Sequence, residues 1–308
     1  MKHIALTIDS NFVRFCGVTM ASIMHNDIPS DICFHIVTDG LAPADEAVLR
    51  GLAEDRGSQI RFYNVPSKIL DSYELRWEGK RLSIVVFFRC LLSSLLPADV
   101  EKVIYLDCDM LVLEPLGTLW DTPLDGLALA AAPDSMVPNP KHPQRLCYDE
   151  SYGYFNGGML LINLKYWREH DVETQCEEYY NKYTERVLMN DQDLLNGLLY
   201  DKKVLVDIRY NLQEGAYRLP KDKPADWQPP YIDLLLNPAI LHYSARKPWQ
   251  YHCMHPLRHL YFYYQDMTPW AGQHPLNSLG ARFHRFIHLL PYNLGIKRSK
   301  YIKIKTQK

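Results

Sequence analysis

Apolar and polar positions fall along this chain in blocks that read as strands and helices in turn. His3-Ile4-Ala5-Leu6-Thr7-Ile8 is a short, mostly apolar run ending at Asp9, and it predicts a buried strand. Residues 12–25 put Phe12, Cys16, Met20 and Ile23 on one helical face. Residues 32–38 predict a second strand, closed by Asp39-Gly40, and residues 43–55 a helix with Pro43 suited to its first turn. A third strand is expected at 60–65, a largely apolar helix at 83–96 and a fourth strand at 102–106. The second half is less regular. It offers an apolar run at 158–164, helices near 172–187 and 191–199, and a strand near 239–242, with Pro-rich loops at 133–143 and 220–230. No internal repeat or low-complexity stretch is evident.

Strands alternating with helices at this pace imply βαβ units, hence an α/β fold with a mixed, mainly parallel sheet flanked by helices. Ligands of such sheets collect at the carboxyl ends of the strands. Asp9 and Asp107 each follow a predicted strand.

Composition narrows the function classes. With 308 residues and 47% hydrophobic content, the chain can bury a sizeable core, which excludes disorder as its main state. The formal net charge of −2 offers no global attraction to nucleic acid. The 21 Tyr give the chain an aromatic character common in proteins that handle sugars or interfaces. Asp9 arrives too early for the apolar core of a secretory leader, and no apolar stretch is long enough for a transmembrane helix. The seven cysteines are scattered without a Cys-x-x-Cys pair, which reads as reduced, buried thiols in a cytoplasm.

The charge is uneven. Asp266 is the last acid; residues 267–308 carry eight Lys or Arg and no Asp or Glu, leaving −10 on residues 1–266. Leu279, Phe283, Phe286, Ile287 and Leu290 recur at near-helical spacing between Arg282, His284 and Arg285, and Pro291 is expected to break the helix. A basic segment with an apolar stripe suits an anionic membrane surface, where each cation contributes on the order of 1 kcal/mol. Two parts are therefore expected: a body over 1–266 and a basic membrane-association segment over 267–308, with contact through 279–308.

Candidate chemistry centres on Tyr105-Leu106-Asp107-Cys108-Asp109. In extended backbone, positions i and i+2 share a side, so an apolar strand delivers two carboxylates together. Like charges that close need a cation or a proton between them. Hard oxygen ligands favour Mg2+ or Mn2+, which would clamp a diphosphate. His242 could complete the shell; imidazole beside carboxylates suits Mn2+ better, and Arg246 and Lys247 nearby argue for an anionic ligand. Asp191-Gln192-Asp193 opens an apolar helix, where one acid reads as a cap and two exceed what capping needs. Phe155-Asn156-Gly157-Gly158 reads as a tight turn.

Together these residues resemble the family 8 retaining glycosyltransferases, close to the bacterial lipopolysaccharide and lipooligosaccharide galactosyl- and glucosyltransferases. The likeness is ordered and runs over roughly residues 3–250: Thr7-Ile8-Asp9-Ser10-Asn11-Phe12, Phe88-Arg89, Tyr105 to Asp109, Tyr154 to Leu164, Asn190 to Asn196, then His242-Tyr243 and Lys247-Pro248-Trp249. The resemblance implies a GT-A type, Rossmann-like fold and a UDP-hexose donor. By matching positions, Thr7, Asp9 and Asn11 would contact uridine and ribose, and Asp107, Asp109 and His242 would hold Mn2+ (or Mg2+) against the diphosphate. Lys247 would reach the phosphates. Arg89, Asn156, Asp191 and Gln192 would surround the hexose, with Asp134 on its hydroxyls. It also implies retention of configuration, a glycan or glycolipid acceptor, and a cytoplasmic enzyme peripheral to the inner face of the cell membrane. One departure stands out: the family's glycine-containing loop before Lys-Pro-Trp is here Tyr243-Ser244-Ala245-Arg246, without glycine, so Arg246 is the substitute contact for the diphosphate.

Three other readings share parts of this pattern. A phosphohydrolase of the haloacid dehalogenase type also uses Asp-x-Asp after a strand, but expects Thr or Val where Leu111 stands. A sugar nucleotidyltransferase expects a Gly-rich basic loop after the first strand, which Asp9-Ser10-Asn11 does not supply. A non-catalytic carbohydrate- or UDP-binding protein has no need of Asp107, Asp109 and His242 together.

Overall fold

The computed structural model describes residues 1–65, 84–136, 138–220, 231–302 and 304, with the backbone alone at 84–86. Ser83, residues 221–230 of the Pro-rich stretch, Lys303 and the end of the basic tail lie outside them. In chain order the strands are β1 (Lys2–Ile8), β2 (Ile32–Thr38), β3 (Gln59–Asn64), β4 (Lys102–Leu106), β5 (Met110–Val112), β6 (Leu129–Pro133), β7 (Phe155–Asn163), β8 (Lys203–Leu205), β9 (Leu212–Gln213) and β10 (Ile240–His242).

Seven of them form one sheet in the order β3-β2-β1-β4-β7-β6-β8. β1 pairs in parallel with β2 and β4, β2 with β3, and β6 with β8; only β7 runs against its neighbours β4 and β6. This is the mixed, mainly parallel α/β sheet that the strand pattern predicts. Its central strands are buried on both faces, which is why they read as continuous apolar runs. Ile4, Leu6, Ile8, Phe34 and Ile36 pack beneath the Val13–Asn26 and Pro43–Glu54 helices. Ala5, Val37, Val103, Tyr105, Leu160 and Ile162 face the Val172–Tyr183 and Asn190–Leu199 helices. Each fully buried side chain of this kind is worth about 1.5–3 kcal/mol.

A second sheet, β5-β10-β9, stands at the carboxyl edge of the first. β5 is antiparallel to β10 with Met110 opposite His242, and β10 is parallel to β9 with His242 beside Gln213. Its third core contains Leu111, Leu212, Leu241, Tyr217, Tyr243 and Tyr261. Several tyrosines therefore fill a core, and two of their hydroxyls are tied to backbone: Tyr217 donates to Leu235 O at 3.0 Å and Tyr243 to Leu257 O at 2.8 Å.

Four sequence expectations need correction. Gly157 and Gly158 do not turn; they lie inside β7. The apolar 83–96 stretch is, where described, a 3-10 segment Ile84–Leu91 followed by one α turn, Leu92–Leu95, because its β-branched and aromatic run is a poor α former. Pro291 does not break its helix, which spans Leu279–Asn293: the missing N–H falls in the last turn, where little helix is left to lose. All seven cysteines are free, but Cys147 is exposed.

Toward the amino ends of the strands, His3 Nδ1 and His35 Nε2 are 2.9 Å apart, and His35 Nδ1 is 2.9 Å from the Tyr63 hydroxyl. Cys33 lies close by, but the two histidines already satisfy one another. Burial, with His3 and Arg61 adding repulsion, pushes the His35 imidazole down to about 3. The unfolded chain therefore takes up this proton first, and stability falls as pH drops below the ordinary imidazole value near 6.5. Between pH 7.5 and 4.5 the wild type should lose about 2–3 kcal/mol more than His35→Gln. Urea unfolding of both proteins at the two pH values measures it; parallel losses would refute the assignment.

Candidate active site

Asp107 continues β4: its N–H donates to Gly158 O at 2.8 Å, extending the β4–β7 pairing to the strand's carboxyl end. Asp109 immediately precedes β5, whose Met110 faces His242 on β10, and Tyr243 N–H donates to Asp109 O at 3.0 Å. The small sheet is thus what carries a distant histidine to the two carboxylates. One ligand atom each from Asp107, Asp109 and His242 lie within 4.8 Å of one another. His242 also needs room beside β7. A Cβ on Gly158 would sit 2.6 Å from its Cε1, so glycine here serves close approach, not a turn.

Hydrogen bonds fix the imidazole. His242 Nδ1 donates to Asn211 Oδ1 at 2.8 Å, since an amide oxygen only accepts. Its Nε2 then presents a lone pair 3.2 Å from Asp109 Oδ1 and 4.0 Å from Asp107 Oδ2. Asp109 Oδ1 is buried and has no hydrogen-bond donor. Two lone pairs facing each other in a buried corner fit a bound cation, and the donor set of two carboxylates and one imidazole suits Mn2+.

Two cations offset the acids. Lys247 Nζ pairs with Asp109 Oδ2 and donates to Tyr243 O at 2.9 Å. Burial opposes the Asp109 charge, yet the Lys247 ammonium holds its carboxyl below the usual range. Arg89 is buried between two acids, with NH2 3.0 Å from Asp107 Oδ1 and Nε 2.9 Å from Asp191 Oδ2. Its guanidinium lies 4.2 Å over the Tyr105 ring, whose hydroxyl donates to Asp107 Oδ1 at 2.7 Å. Thr7 Oγ1 in turn is 3.1 Å from that hydroxyl. Burial raises the Asp191 carboxyl to about 6 in spite of Arg89.

Asn156 and Gln192 form the next layer. Asn156 Oδ1 accepts from Asn211 Nδ2 at 2.9 Å and from Gly158 N at 3.0 Å. Its Nδ2 donates to Asp134 Oδ1 at 3.1 Å and to Gln192 Oε1 at 3.0 Å. Gln192 Oε1 also accepts from Gly157 N at 3.0 Å, while its Nε2 donates to Asp134 Oδ1 at 3.1 Å and to the Tyr154 hydroxyl at 3.0 Å.

Thr7, Asp9, Arg89, Asp107, Asp109 and Lys247 line a cavity of about 210 Å3. Arg89, Asp107, Asp109 and Lys247 are shared with an adjoining cavity of about 340 Å3, which adds Asn156, Asp191, Gln192 and His242. Asp134 and Tyr154 connect this group to a larger cavity of about 670 Å3. Asp9 caps the Ser10–Phe12 turn by accepting from Asn11 N at 2.9 Å. Asn11 and Arg246 are exposed and line neither of the two smaller cavities. Trp249 is anchored by stacking on Phe15 at 3.8 Å.

Sequence reading missed Asn211, Arg145 and Glu214, and it quoted Tyr105 and Tyr154 only as parts of longer motifs, without a role. Asn211 ends a short 3-10 segment, Ile208–Asn211, with no local signature. Asp193 proves to be the structural acid of its pair: fully buried, it binds Arg145 through both oxygens at 2.7 and 2.8 Å and accepts from Leu188 N and Met189 N.

The comparisons with known proteins agree with this geometry. The family model described as Glycosyl transferase family 8 matches residues 3–253. The chain belongs to this family. Lipopolysaccharide glucosyltransferase WaaO of Escherichia coli is 28% identical over 313 residues, covering 97% of this chain and 87% of that protein. General stress protein A of Bacillus subtilis is 27% identical over 278 residues, covering 88% and 95%. The crystal structure of the galactosyltransferase LgtC with donor and acceptor sugar analogues superimposes with a TM-score of 0.76 at 29% identity, over 87% of this chain and 96% of that one. The protein thus has the GT-A fold of LgtC and the family's glycosyltransferase character.

Asp193→Ala should unfold the protein more readily by about 3–5 kcal/mol, because it strands the Arg145 guanidinium and the buried Tyr154 hydroxyl and frees the N–H groups of Leu188 and Met189. Chemical denaturation measures the loss; a change under 1 kcal/mol would contradict the role assigned to Asp193.

Proposed function

We propose that the protein transfers galactose or glucose from a UDP-hexose to a glycan or glycolipid acceptor such as lipopolysaccharide core, with Mn2+ as metal and retention at the anomeric carbon. The observation that carries this reading is the convergence of Asp107, Asp109 and His242, with Asp109 Oδ1 otherwise without a donor. Those three side chains would hold the ion, which when bound neutralises charge developing on the departing diphosphate. Lys247 adds a cation on the same side. Thr7 and Asp9, with Asn11 at the rim, are assigned to the nucleoside. The hexose is assigned to Arg89, Asn156, Asp191, Gln192 and Asp134. Arg246 points outside the two smaller cavities and is assigned to the phosphates only through its loop.

Gln192 is a poor nucleophile here, because Asn156 and Gly157 already occupy its amide oxygen. Asp191 is engaged by Arg89 and serves to stabilise positive charge at the sugar. Attack therefore falls to the acceptor hydroxyl on the face that UDP leaves: the sugar–phosphate C–O bond breaks, the new glycosidic C–O bond forms, and a UDP oxygen takes the hydroxyl proton.

Membrane contact is assigned to the Leu279–Asn293 helix, as part of a cytoplasmic, peripheral location at the inner face of the cell membrane. No residue in that helix is buried, and Leu279, Phe283 and Phe286 are 82%, 62% and 55% exposed. Among the described residues no helix is long and apolar enough to cross a membrane.

A panel of UDP-sugars with Mn2+ should show UDP release from UDP-galactose or UDP-glucose, reduced at least 100-fold by Asp109→Ala. No binding and no hydrolysis of any UDP-sugar would favour a carbohydrate-interaction protein instead. Asn211→Ala should weaken Mn2+ binding 10- to 100-fold by freeing the His242 ring, as read by electron paramagnetic resonance titration; unaltered affinity would remove Asn211 from the account. Replacing Phe283, Phe286 and Ile287 by Ser should release the protein from anionic vesicles in a sedimentation assay, and full retention would sink the membrane assignment.

A further inference from the structure

The basic tail returns to the body after its exposed helix. Ile302 N–H donates to Tyr217 O at 2.9 Å and Leu219 N–H to Lys300 O at 2.9 Å, so Tyr301 bridges Arg218 in antiparallel fashion. Tyr301 and Ile302 are buried in the third core. The Tyr301 hydroxyl donates to Glu214 Oε1 at 2.5 Å. Glu214 is itself only 1% exposed, and its other oxygen accepts from the backbone N–H of Arg246 at 2.6 Å.

Arg246 immediately precedes Lys247 in the loop that leaves β10 at His242. Ser244, Ala245 and Arg246 are exposed, so the loop has little packing of its own. A second path reaches the same residue. Arg285 of the exposed helix donates to Cys253 O at 2.9 Å and to Tyr251 O, and Cys253 Sγ lies 3.5 Å from Arg246 O. Both the N–H and the carbonyl of Arg246 are therefore held by groups that the tail supports.

We propose that the tail is a brace for the donor-phosphate loop, with Tyr301 and Glu214 as positioning residues that set the backbone at Arg246 and hence the reach of Lys247. The inference rests on the UDP-sugar reading for its consequence but not for its geometry. A buried carboxylate accepting from Tyr301, Arg246 and Arg218 loses much of its hold when one donor goes. Tyr301→Phe keeps the ring's packing and removes only the hydroxyl. The loop then samples more positions, and the diphosphate finds Lys247 less often in place.

Two measurements on the full chain, without membranes, decide the matter. Hydrogen exchange of the amides at 244–248 should be about tenfold faster in Tyr301→Phe and Glu214→Gln than in wild type, with exchange in β1 unchanged. Calorimetric titration with UDP and Mn2+ should show the dissociation constant for UDP raised at least fivefold, while Mn2+ alone binds within twofold of wild type. The double variant should be no worse than Glu214→Gln, since both act through one path. Unchanged exchange at 244–248 overturns the brace. So does faster exchange with unchanged UDP affinity, which would leave Tyr301 a merely structural contact. Wild type that fails to bind UDP at all removes the glycosyl-transfer reading, while the exchange result still decides whether the tail fixes the loop.

Discussion

Two carboxylates held side by side at a sheet edge repel each other, and the surroundings of Asp107 and Asp109 answer that repulsion. Lys247 pairs with one and Arg89 with the other, whereas His242 turns a lone pair toward both and leaves part of the repulsion unanswered. None of these partners is a sequence neighbour. Each is delivered by a different device: Arg89 by a tight helical segment under the main sheet, His242 by strand pairing, and Lys247 by the loop that follows it. The fold can be read as the set of constraints that keeps this cluster of charges assembled with one corner left to fill.

The alternating strands and helices, the parallel character of the sheet and the Asp-x-Asp at a strand end were all legible, because each depends on local periodicity or on the two-residue repeat of extended chain. What local pattern could not give was register. The antiparallel course of β7 follows from its pairing with β4 and β6, and nothing within Phe155–Asn163 announces direction. Gly157-Gly158 looked like a turn because glycine usually marks one. In β7 the missing side chain instead makes room for an imidazole and a guanidinium from elsewhere. Asn211 and Glu214 were invisible for the same reason: a single amide or carboxylate in a short connecting segment has no period, and its value lies wholly in what other elements bring to it.

The C-terminal region divides differently from the way its charge does. Composition marks everything after Asp266 as one basic unit. In the structure its apolar helical residues stand in solvent while Tyr301 and Ile302 are buried in the third core. The exposed part is free to meet a surface; the buried part completes packing that Tyr217, Tyr243 and Tyr261 begin. Charge pattern reports solvation, and says little about which apolar side chains between the charges go inward.

The amides behind the cluster run in a single direction. Each N–H, from the imidazole of His242 through Asn211, Asn156 and Gln192, points away from the acidic corner, and the series ends on Asp134. No member can reverse without reversing its neighbours, so the array behaves as a one-way street of aligned dipoles. Its terminus offers only lone pairs. Any alcohol that reaches Asp134 must arrive proton first, which gives this end of the cleft a built-in preference for donors that neither cavity shape nor net charge would impose.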